Sequence, residues 1–169
     1  MKKYLSLTFI AALAAAGLCL ASNAQAAESK LSMGDKKFLK KAYKGGLAEV
    51  ENAKLAKEKA KNDATKEVAE HMITDHSKAN EKLMAMAKEE TLDLSKVEAK
   101  PAKISDDNFD KEYLTMLKKD HEKDIALFEK EANDTGSNED SDVKKFAKDT
   151  LPTLKDHLKM VEDALGKLK

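Results

Sequence analysis

The chain has 169 residues, with 31 basic and 31 acidic side chains, a formal net charge of zero at pH 7 and no tryptophan. Every cation is a lysine, and so balanced a surface carries no electrostatic footprint for nucleic acid. The one cysteine, Cys19, falls in the N-terminal apolar run, so the rest of the chain has no disulfide framework, no thiolate nucleophile and no cysteine-based zinc site.

Met1-Lys2-Lys3, an apolar run from Tyr4 to Ala21 and the small-residue stretch Ala24-Gln25-Ala26 form the pattern of a cleaved secretory signal peptide, expected over residues 1–26. The alternative is a membrane anchor, since the run is close to spanning length. A bacterial export signal implies a periplasmic home. Lipidation at Cys19, which would tie the chain to the outer membrane, meets Leu18 where a small residue is usual. Residues 27–169 then form one domain large enough for a real core, with no membrane insertion expected of it.

A first helix is expected from Ser32-Met33-Gly34-Asp35 to Lys61, opened by a capping box with aspartate in the acidic position. Phe38, Ala42, Gly45, Glu49, Ala53, Ala56 and Ala60 mark its seam at three- and four-residue steps. Gly45-Gly46 costs helix stability, which a close approach by a neighbour would excuse. A second helix follows Asn62-Asp63, with the seam Val68, Met72, His76, Ala79, Leu83, Met86. From Thr91 to about Asp107 the periodicity fails, and Pro101 marks a connection. At about 16 residues it exceeds the usual helix–helix link. It could stretch about 50 Å, further than the roughly 40 Å of a 27-residue helix.

The third helix is expected from Phe109 to Asn133, with Tyr113, Leu117, His121, Ile125 and Phe128 on one stripe. Asp134-Thr135-Gly136-Ser137 ends it, with Gly136 suited to a left-handed terminus. The fourth is expected to start near Ser137-Asn138-Glu139-Asp140 and to carry Val143, Ala147, Thr150, Leu154, His157, Val161, Leu165 and Leu168 inward. Pro152 should kink or restart it. The fold class is therefore all-α: a four-helix bundle with a long connection between its second and third helices. The short turns make the first and last pairs antiparallel. The long connection permits a ferritin-like crossover, and a simple up-down-up-down order is also open.

Three Asp-His pairs recur, at Asp75-His76, Asp120-His121 and Asp156-His157, each near the middle of its helix. Glu49, His76 and His121 stand 14 residues past Asp35, Asn62 and Asp107 respectively, and His157 lies at a matching height counted from its helix end. All four occupy apolar seams, so height and direction bring a carboxylate and three imidazoles towards one point. Burying them without a partner is costly. A divalent transition metal ion, zinc, iron or copper, would offset that cost, with Glu49, His76, His121 and His157 as its ligands. Asp75 and Asp120 would accept hydrogen bonds from a neighbouring helix's imidazole and so orient it, while Asp156 reads as solvated. The bland alternative is a polar layer satisfied by its own hydrogen bonds and by water.

His71, about 140° around the helix from His76, reads as surface. Met72, Met116 and Met160 near the histidine layer read as core filling, with a thioether role towards copper left open. No Glu-x-x-His motif of a di-iron bundle is present, since Val68, Ile73, Lys118 and Leu154 stand three before the histidines. Gly-rich phosphate loops and activated nucleophiles are absent too.

Gly46-Leu47-Ala48-Glu49-Val50, Met72-Ile73-Thr74-Asp75-His76, Tyr113 through His121, Phe146-Ala147 and Leu151-Pro152-Thr153-Leu154-Lys155-Asp156-His157 together resemble a bacterial family of secreted ferritin-like proteins, the domain of unknown function 4142. Asn62-Asp63 stands where that family's pattern suggests Asn-Pro. The resemblance implies a ferritin-like bundle, an exported location and Glu49, His76, His121 and His157 as the metal-site residues; it implies no activity. The expectation is a periplasmic protein with one mononuclear Glu/His site, serving metal buffering or stress protection. A redox or hydrolytic enzyme on the same ion, and a metal-free envelope interaction module, are the alternatives.

Overall fold

The structure, a computed structural model, describes residues 31–135 and 141–168. The expected signal peptide and Gly136 lie outside the described residues. Among those described there are four α-helices and no strand: α1 (Met33–Lys59), α2 (Asp63–Glu89), α3 (Phe109–Ala132) and α4 (Asp142–Lys167). None is long and apolar enough to cross a membrane.

Local chemistry sets the helix starts. The backbone N–H of Asp35 donates to Ser32 Oγ at 3.0 Å, and the N–H of Ser32 donates to Asp35 Oδ2 at 2.8 Å, so the expected capping box forms. Ala64 N–H donates to the Asn62 side chain at 2.9 Å and opens α2 without the proline of the family pattern. The fourth helix starts later than expected. Ser141 caps it, accepting from Lys144 N–H at 3.1 Å, so the cap is Ser141 in place of Ser137. Pro152 sits inside α4, which continues on both sides of it. Of the two outcomes expected there, the restart is ruled out.

The direction of α3 is decided by its first turn. Asp110 accepts from the N–H groups of Lys61 and Asn62 at 3.1 and 3.0 Å, and Lys59 pairs with Asp106 at 2.7 Å. The start of α3 therefore lies beside the α1–α2 turn, and α2 and α3 run parallel. Helix α1 packs on α2 and α3, and α4 packs on α2 and α3, which leaves α2 and α3 on a diagonal. The connection returns along the whole bundle: Leu92 packs into one end of the core, Ala102 N–H donates to Asn52 Oδ1 of α1 at 2.6 Å, and Ile104 packs into the other end.

The core is split in two. One apolar cluster joins Ala53, Ala56, Met72, Tyr113, Leu114, Leu117 and Val161, and the other joins Phe38, Leu39, Leu83, Phe128, Ala147 and Leu154. On each helix a buried polar residue stands between the clusters: Glu49, His76, His121 or His157.

Candidate metal centre

The layer is built from one side chain per helix. Glu49 lies between Ala42 and Ala53 on α1, His76 between Met72 and Leu83 on α2, His121 between Leu117 and Phe128 on α3, and His157 between Leu154 and Val161 on α4. The three imidazoles make a nearly equilateral triangle, with ring centroids 5.4 Å apart for His76–His121, 5.3 Å for His76–His157 and 5.4 Å for His121–His157. One nitrogen from each ring lies within 4.8 Å of the other two.

Their outer partners fix how the rings present themselves. His121 Nδ1–H donates to the Leu117 carbonyl at 3.1 Å, which leaves its Nε2 with a lone pair. His157 Nε2–H donates to Asp75 Oδ2 at 3.1 Å, which leaves its Nδ1 with a lone pair. Those two nitrogens, His121 Nε2 and His157 Nδ1, face each other at 3.3 Å. With both tautomers set from outside, no proton remains between them, and two acceptors converge. His76 Nε2 is buried with no hydrogen-bond partner.

Glu49 stands in the same layer but outside the triangle of nitrogens. Its Oε2 is 3.0 Å from His76 Nδ1 and its Oε1 is 3.1 Å from His121 Nδ1. Neither oxygen completes a well-aligned hydrogen bond despite those short distances. Asp75 reaches across from α2 to α4 to hold His157. Asp120 accepts from Lys123 Nζ at 2.9 Å at the surface, and among the described residues no imidazole bonds to it. His71 and Asp156 are exposed. Met72 is fully buried in the apolar cluster, with Met116 and Met160 packed against the same cluster, so all three methionines fill core.

Burial dominates the electrostatics. It pushes the Glu49 carboxyl well above the usual range, helped by the charges of Asp124 and Asp120. It pulls His76 well below the usual imidazole value, helped by the charges of His121 and His157. His121 falls to about 4, mainly through burial and then His157, against the opposing Leu117 carbonyl and Asp120. His157 is lowered by burial, opposed by Asp75. The rings are thus neutral at pH 7, the state in which imidazole can bind a metal.

A family model described as Domain of unknown function (DUF4142) matches residues 20–164. The chain belongs to this family. No curated protein and no solved structure matches it.

Three residues of this family member that the sequence reading left out of the site sit near it. The Tyr113 hydroxyl is buried without a hydrogen-bond partner, and its ionisation is pushed up by burial and then by the charge of Glu49. Asp124 is raised to about 6 by burial and Asp120, against Lys123. Asn80 presses on Gly46, where a β-carbon would come within 2.4 Å of Asn80 Oδ1. Tyr113 carried a signal, standing two turns before His121 on the same stripe. Asp124 and Asn80 carried none, because a single polar residue on a helix flank has no period to betray it.

Proposed function

We propose that this chain is an exported metal-binding bundle that holds one divalent transition metal ion on His76 Nε2, His121 Nε2 and His157 Nδ1. Glu49, behind His76 and His121, balances the charge, and Asp75 orients His157. One observation carries the reading: His121 Nε2 and His157 Nδ1 lie 3.3 Å apart inside a buried triangle of three rings, while the other nitrogen of each is engaged by Leu117 or Asp75. A tetrahedral ion with metal–nitrogen bonds of about 2.05 Å sets its ligand nitrogens about 3.3 Å apart and its ring centroids about 5.2 Å apart. The observed centroid spacings, 5.3 to 5.4 Å, are within a few tenths of that for all three pairs. A cation between the nitrogens removes the acceptor–acceptor conflict and offsets the burial of the carboxylate.

The parallel diagonal pair α2 and α3, with a connection running the length of the bundle, supports a ferritin-like connectivity. The N-terminal pattern supports a signal peptide over residues 1–26, a mature domain over 27–169 and a periplasmic location. Enclosure by dry clusters on both sides favours holding an ion over turning over a substrate, hence buffering or protection against metal stress.

The test is elemental analysis of untagged protein after exposure to zinc, iron(II) and copper(II) and exhaustive dialysis. About one ion per chain is expected, with a raised melting temperature. No retained ion and an unchanged melting temperature would sink the proposal. The second reading is a metal-free polar layer in which Glu49 shares protons with His76 and His121, favoured by the 3.0 and 3.1 Å contacts of its two oxygens. It requires that dialysed protein melt at the same temperature with and without added metal.

A further inference from the structure

A cleft of about 530 Å³ opens between α1 and α3, and Gly45, Ala48, Glu49, Asp120 and Asp124 line it along with exposed lysines. Glu49 links this cleft to the buried layer. Its side chain is 4% exposed, and neither carboxylate oxygen completes a hydrogen bond. It is close enough to Asp124 and Asp120 for both to act on it electrostatically. Three carboxylates thus share one cleft: Asp120, held by Lys123, Asp124, and Glu49, which also meets two imidazoles.

Gly45 adds an independent point. A β-carbon there would meet Asp124 Oδ1 at 3.6 Å, an ordinary contact, so packing does not demand glycine. Mid-helix glycine still costs stability. What it achieves at this position is an open cleft above Asp124, which any longer side chain would fill. The opposite cleft, between α2 and α4, touches the polar layer only at Asp75, whose carboxylate is already engaged by His157.

We propose that the α1–α3 cleft is the port through which a hydrated divalent cation reaches the imidazoles, exchanging water for the carboxylate oxygens of Asp124 and then Glu49. This rests on the metal-binding reading above. Asp124 is a positioning residue for the incoming ion and takes no place in its final coordination. A port changes how fast equilibrium is reached and leaves the equilibrium alone.

The experiment follows zinc loading and release by the full chain in competition with a chromogenic chelator. Asp124→Asn is expected to slow loading and release together by about threefold to tenfold, an effect that shrinks with added salt. Gly45→Leu is expected to slow both at least as much, although it improves helix propensity and so keeps the fold. In each the dissociation constant stays within about twofold of the parent, and Asp149→Asn on the α2–α4 cleft changes neither rate. Parent-like loading by both Asp124→Asn and Gly45→Leu overturns the port while leaving the metal centre standing. Loss of affinity through faster release at an unchanged loading rate overturns it too, because Asp124 would then belong to the coordination. If the parent chain retains no zinc, the centre falls and the port falls with it.

Discussion

The two ends of this bundle and its middle follow opposite rules. At either end the seams are mostly apolar and the contacts among those side chains are non-directional, so sequence largely needs to supply volume. In the middle the same seams carry a carboxylate and three imidazoles whose value depends on which nitrogen faces which atom. The ends create the conditions for the middle. Dry layers above and below strip water from the imidazoles and keep them neutral, the form that the proposed metal centre requires.

Truncating an end should have the larger effect. Leu114 is fully buried in the cluster that also holds Tyr113 and Leu117. Leu114→Ala is expected to cost about 2–5 kcal/mol, read by urea unfolding, and to cost the same with and without zinc. His121→Leu should separate the two regions. It replaces a fully buried imidazole by an apolar group of similar bulk, so the metal-free protein is expected to be unchanged or slightly more stable. The proposed site would give the parent roughly 2.7 kcal/mol at a hundredfold excess of zinc over its dissociation constant, and that gain should vanish. If His121→Leu weakens the metal-free protein as much as Leu114→Ala does, the middle layer is ordinary core and the contrast fails.

The contrast also explains what the sequence could reveal. Seam period and caps are local, so four helices, the Ser32–Asp35 box and the inward placing of Glu49, His76, His121 and His157 follow from spacing alone. Atom-level roles are not local. That Asp75 reaches His157 while Asp120 stays with Lys123 depends on how each helix is rotated against its neighbour. Whether Glu49 lies among the imidazole lone pairs or behind the rings depends on the same rotation. The direction of α3 was open because the long connection reaches either end. Its choice is fixed by Asp110, which caps the Lys61 and Asn62 N–H groups 49 and 48 residues away respectively. Helix four's start was misplaced because Ser137 and Ser141 offer the same cap chemistry four residues apart.

The end formed by the start of α1 and the close of α3 holds a buried acidic pair within its apolar packing, and pH should expose it. Glu131 and Asp35 are both buried there. Burial, a hydrogen bond with Asp35 and the charges of Asp35 and Asp134 raise Glu131 from 4.5 to about 7, with Lys130 opposing. The folded state therefore holds a proton that the unfolded chain releases. Its stabilising effect is complete below about pH 4.5 and is lost as pH rises towards 7. Discounted for nearby solvent, the loss is on the order of 1–2 kcal/mol. Glu131→Gln should flatten the fall of melting temperature across that window, and an unchanged slope would place the responsible proton elsewhere.

The smallest effects lie at adjacent glycines. At Gly46 a β-carbon would sit 2.4 Å from Asn80 Oδ1, and Asn80 is itself buried with that oxygen unpartnered. Gly46→Ala must displace Asn80, at a cost of about 1–2 kcal/mol. At Gly45 the nearest atom is Asp124 Oδ1 at 3.6 Å, so Gly45→Ala meets no clash and should gain about 0.5–1 kcal/mol of helix stability. The two substitutions are chemically identical, one residue apart on one helix, and are expected to move the urea midpoint in opposite directions. The sign turns on whether the added methyl faces α2, where the layer is closed, or the α1–α3 cleft, where it is open. Equal shifts for both would mean that glycine's backbone freedom, and not the space beside it, governs this stretch of α1.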